Sequence, residues 1–96
     1  MKPPSELDGA RVLWWAWSGE TPFGELRGGV GDDRWVHGFA IGVYESGSVY
    51  RFSCNRHWEV VQDMDVGPGE SVEDAKHNLP MNYDGANVCW RAFEGD

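Results

Sequence analysis

Cys54 and His57 stand three residues apart across a short polar stretch, the closest pair in this 96-residue chain that could do nucleophilic chemistry. A thiolate there would take His57 as its base, with Asn55 or Glu59 to orient the imidazole. Spacing alone is weak ground, because catalytic constellations are recognised by geometry. Cys54 alternates with Tyr50 and Phe52 on an apolar face, which predicts an inert, buried thiol. Glu59 and Asp63 have side chains suited to acid–base work, but nothing in their spacing demands it.

The other reactive residue types carry even less. His37, His57 and His77 recur every twenty residues, a regularity without mechanical meaning when strands and a helix carry them. His37 falls beside Phe39 and Ile41, where a structural imidazole is expected. No zinc pairing of the C-x-x-C or H-E-x-x-H kind occurs, and no calcium-loop pattern. Asp63-Met64-Asp65 offers two carboxylates, fewer than an oxygen cage needs. Gly28-Gly29-Val30-Gly31 lacks the Lys and hydroxyl of a phosphate loop, and Asp32 and Asp33 follow it directly. The sequence therefore predicts no metal and no cofactor.

Charge points elsewhere. Eight Lys and Arg stand against 16 Asp and Glu, a formal charge of -8. Nucleic-acid phosphates would be repelled, while a basic protein is the better electrostatic match. From His57 to Ala75 six acids, Glu59, Asp63, Asp65, Glu70, Glu73 and Asp74, occur without a Lys or Arg. Folded together they would make a negative lobe, and solvated surface is the plainer account of the same residues. An interface also needs a desolvated aromatic centre. Six Trp, four Phe and three Tyr exceed what so small a core takes in comfortably, leaving Trp14, Trp35, Trp58 and Tyr83 as candidates.

These residues need a scaffold. At 96 residues and 41% hydrophobic, the chain suits one domain, 1–96, with residues 1–9 expected to fray. Ala10–Trp17 reads as a strand that is apolar on both faces, hence central or covered. Glu20–Asp33 reads as an irregular connection. Arg34–Gln62 alternates as a three-strand meander over Trp35–Tyr44, Val49–Cys54 and His57–Gln62, with a hairpin turn at Glu45–Ser48. Gly38, Ala40 and Gly42 make one face of its first strand small, as though a helix crosses there. Ser71-x-x-Asp74 is a capping-box pattern opening a short helix that ends near Leu79, before Pro80. Val88–Phe93 reads as the last strand, and buried free thiols are expected at Cys54 and Cys89.

The expected fold is α+β: a single antiparallel sheet of about five strands in the order β-loop-β-β-β-α-β, with one short helix packed on one face. No apolar run approaches the ~20 residues that span a bilayer, and no signal-peptide pattern opens the chain. The expectation is a cytoplasmic, non-catalytic protein-binding module, an inhibitor or immunity-type protein meeting a basic partner through acids and exposed aromatics. A small enzyme using Cys54 and His57, or carboxylates, is one alternative. A self-associating structural domain, pairing through an unprotected strand edge, is the other.

Overall fold

The computed structural model describes residues 2–66, 71–77, 79 and 88–94. Its centre is an antiparallel sheet in which strands β1 (Glu6–Leu7), β2 (Ala10–Trp17), β5 (Gly38–Val43), β6 (Val49–Cys54) and β7 (Val60–Asp65) are neighbours in that order. Strand β8 (Arg91–Ala92) also pairs β2. A separate two-stranded ribbon joins β3 (Gly24–Glu25) to β4 (Trp35–Val36), with a 3-10 turn at Gly31–Arg34 between them. Among the described residues the one α-helix, α1, spans Val72–His77. This is the small α+β fold expected from the sequence, with β5, β6 and β7 forming the meander.

Several expected elements differ in detail. The run Trp35–Tyr44 breaks at His37, because Val36 is drawn into the ribbon with Gly24 while Gly38 pairs Cys54. Residues 6–7 are paired to β2, and Leu7 is buried. The last strand is two residues long, so Cys89 lies outside it and is exposed, while Cys54 is buried; both thiols are free. The β6–β7 reversal spans Asn55 to Glu59 rather than a tight pair.

A β-bulge at Leu13 decides the faces of β2. Val12 stands opposite Gly42, yet Trp14 stands opposite Ile41, so the alternation slips by one residue. Val12, Trp15 and Trp17 consequently share a face, and Trp14 and Ala16 the other. Strict alternation would instead put Leu13 with Trp15 and Trp17, and Val12 with Trp14.

The helix lies on the face opposite to the one expected. Ala75 packs with Ile41 and Val66, bordered by Trp14, Val49, Val72 and Trp90. The face carrying Gly38, Ala40 and Gly42 is filled by aromatic side chains instead. A Cβ at Gly38 would come within 2.6 Å of the Trp58 ring, and one at Gly42 within 3.2 Å of Phe52. Small residues here make room for rings from adjacent strands and the β6–β7 loop. Both capping-box bonds form: Asp74 N donates to Ser71 Oγ and Ser71 N to Asp74 Oδ2, each at 3.1 Å. The backbone N–H of Ser71 first, and then its side chain, hold the Asp74 carboxyl below its usual range. Arg51, 5% exposed, reaches from β6 to the carbonyl of Ala75 at 3.3 Å and clamps the helix to the sheet.

Candidate functional site

Asn55 organises the end of the sheet from which the reactive candidates project. It is fully buried and its amide is saturated. Oδ1 accepts from the backbone N–H of His57 at 2.9 Å and of Glu59 at 3.0 Å. Nδ2 donates to Asp33 Oδ1 and to Glu59 Oε1, both at 3.0 Å. One side chain thus ties the 3-10 turn to the β6–β7 loop and sets Trp58 at φ 60, with its ring turned inward. Trp58 is 6% exposed and, among the described residues, nothing accepts from its indole N–H.

The same loop keeps Cys54 and His57 apart in chemistry. Burial pushes the Cys54 thiol up to about 12, leaving essentially no thiolate near neutral pH. The His57 ring sits on the exposed side, its Nε2 3.1 Å from Asp32 Oδ2, and Arg56 Nε donates to Asp32 Oδ1 at 3.1 Å. Glu59 is committed to Asn55. This corrects the proposed thiol–imidazole pair: strand alternation sends Cys54 into the core, and the Asn55 turn sends His57 to solvent. A hydroxyl–imidazole contact unread in the sequence does exist, Ser18 Oγ lying 3.0 Å from His37 Nδ1 with the imidazole stacked on Trp17. Nineteen residues separate the two, and only the β2–β5 pairing brings them together. Among the described residues, no hydrogen bond holds the far nitrogen of His37, as a general base would require. No group of three or more metal-ligating side chains converges among the described residues.

Among the described residues, the acids of the stretch do not gather into one lobe. Glu73 pairs Lys76 at 2.9 Å and Asp74 caps α1, both on the helix side. Asp63 and Asp65 stand opposite Phe52 and Tyr50 and so share the other face, while Met64 between them accepts from Arg51 on the helix side. Glu70 and Tyr83 lie outside the described residues. The aromatic candidates are equally dispersed. Trp14 is half-buried under Lys76, whose Nζ lies 3.3 Å from the ring centroid. Trp35 is 40% exposed on the ribbon with Arg34 over it at 5.1 Å, and Trp58 is in the core. As a contiguous binding surface, the set Trp14, Trp35, Trp58, Glu73 and Asp74 is therefore corrected: its members are spread over β2, β4, the β6–β7 loop and α1, and Trp58 is buried.

A different aromatic patch replaces it. On the face away from α1, half-buried Trp15, Trp17, Tyr44, Tyr50 and Phe93 pack around a buried cluster that includes Phe52, Ala40 and Trp58. Tyr44 meets Tyr50 edge-on at 5.1 Å, and Trp17 lies 5.4 Å from Trp58. Partial burial, then the carboxylates of Asp8 and Asp63, raise the Tyr44 hydroxyl above its ordinary value. Asp65 also stands opposite Tyr50 across the β6–β7 pairing, so ring and carboxylate share this face, an arrangement that attracts cations both by charge and by ring quadrupole. Local pattern does not mark this patch, because the Leu13 bulge and the strand order decide which rings meet.

No protein-family model matches this chain, and comparison with curated proteins and with solved structures returns no match. Among the described residues no helix is long and apolar enough to cross a membrane.

Proposed function

We propose that this chain is a non-catalytic protein-binding module that engages a basic partner, as an inhibitor or immunity-type protein does. The observation that carries the reading is the aromatic face away from α1, where Tyr44, Tyr50, Trp15 and Trp17 stay half-exposed and Asp8 and Asp63 act on Tyr44. A net charge of -8 steers a basic surface towards the molecule, and rings with adjacent carboxylates hold Lys or Arg side chains after docking. The chain shows the affinity internally: Lys2, Arg34, Lys76 and Arg91 each lie over an aromatic ring.

A lysine-rich peptide serves as the probe, with its lysine-acetylated form as control and tryptophan fluorescence as the readout. The expected result is salt-sensitive binding of the cationic peptide, weakened about tenfold or more in a Tyr44→Ala/Tyr50→Ala variant that retains its fold. Binding that ignores the two tyrosines, or that survives acetylation, overturns the reading.

A further inference from the structure

The face away from α1 carries a second feature besides its tyrosines. An open cavity of about 340 Å³ lies at the C-terminal end of β2, lined by Trp15, Trp17, Ser18, Gly19, Cys89 and Arg91. Strand β8 brings the last two residues there, because it pairs Arg91 with Trp15 and Ala92 with Trp14. The described residues on either side of 80–87, Leu79 and Val88, pack on the other face with Ala16, Val36 and Phe39.

The lining differs in charge from the molecule as a whole. The chain carries -8, yet this wall holds a guanidinium and no carboxylate. Arg91 lies over Trp15, its guanidinium carbon 5.7 Å from the ring centroid. A guanidinium resting on an aromatic ring still presents its planar fork of N–H donors to an oxyanion. The indoles are braced as well. Trp17 stacks on the His37 imidazole at 5.7 Å and lies 5.4 Å from Trp58, and Trp15 meets Trp58 edge-on at 6.3 Å. Trp58 is fixed in turn by the Asn55 loop, so two half-exposed rings are held in place before any ligand arrives. Ser18 Oγ is committed to His37 Nδ1 at 3.0 Å, which leaves Arg91 as the charged anchor.

We propose that this cavity is a binding site for a small aromatic carboxylate. The ligand ring lies against the Trp15 and Trp17 indoles, and its carboxylate accepts two hydrogen bonds from the Arg91 fork. Sites for small ligands run from ~300 to ~1,000 Å³, so this one admits a single or fused ring and nothing much larger. Neither Tyr44 nor Tyr50 lines the cavity, so this site and the cation-binding face above stand or fall separately.

Cys89 supplies the readout. It is exposed in the cavity wall, whereas Cys54 is buried with its thiol pushed up to about 12, so alkylation by iodoacetamide reports on Cys89. The probes are benzoate, its uncharged isostere benzamide, and acetate, which lacks the ring. Each is titrated against the unaltered protein and against Arg91→Gln. Benzoate is expected to slow the alkylation saturably, and benzamide and acetate to need concentrations about tenfold higher. Arg91→Gln is expected to bring benzoate to the level of benzamide. The indole N–H resonances of Trp15 and Trp17 shift with the same midpoint. Equal half-saturation for benzoate and benzamide, or for benzoate on the two proteins, overturns the proposal. So does the absence of any protection at millimolar benzoate. Should Arg91→Gln fail to fold, the comparison of benzoate with benzamide on the unaltered protein decides.

Discussion

Asn55 shows how far one residue can determine the local chemistry. Its four hydrogen bonds fix where Trp58, Glu59 and His57 point, and two of them end on carboxylates. Asn55→Asp keeps the shape and turns both donors into acceptors facing Asp33 and Glu59. The expected cost is about 2–4 kcal/mol near neutral pH. Crowding three carboxylates raises a folded-state pKa above its unfolded value, so the deficit relative to the parent shrinks as pH falls through the carboxylate range. Urea titrations at about pH 7 and about pH 4.5 measure both the loss and its recovery. The sequence could mark Asn55 as an orienter for a catalytic histidine; its actual work is structural, because its partners Asp33 and Glu59 come from two different segments. Cys54 was legible as an inert thiol from its alternation with Tyr50 and Phe52 alone.

Elements were legible where a local pattern suffices. Ala10–Trp17 and Val49–Cys54 form strands with the expected bounds, the Gly47 turn closes β5 onto β6, and the Ser71–Asp74 box caps α1. Each rests on neighbours within a few residues. The partner of the small face was not legible, because Gly38 and Gly42 say only that something comes close. That something is Trp58 and Phe52, and α1 takes the opposite side with Ile41 and Val66. Gly38→Ala is expected to destabilise by about 1–3 kcal/mol, since the new methyl meets a buried indole held by the Asn55 turn. Thermal or denaturant unfolding measures it, and a neutral result would mean that Trp58 can withdraw. The Leu13 bulge belongs to the same class: it leaves no mark in the sequence and reassigns Val12 and Trp14.

Across the whole molecule, closure of the free side of β2 by β1 and β8 is a source of stability. Deleting Arg91–Asp96 removes β8 and Phe93, uncovering β2 at Trp14 and Trp15. The expected outcome is a loss of about 2 kcal/mol, a melting temperature lower by roughly 10 °C, and self-association visible by light scattering. Retained stability with a monomeric product would show that β8 does not protect the edge. Composition, alternation and turn chemistry determined by themselves that this would be a small acidic α+β domain with a meander, a capped helix and a buried Cys54. They act through the backbone period and through contacts close in sequence. Which rings share a face, which acids stand beside them and how the free side of β2 is closed were decided only by tertiary structure. Those properties depend on strand order and register, set by pairings between segments far apart in the chain. The rows Trp15–Trp17, Tyr44–Tyr50 and Asp63–Asp65 come from three such segments, and the sheet alone makes them one surface.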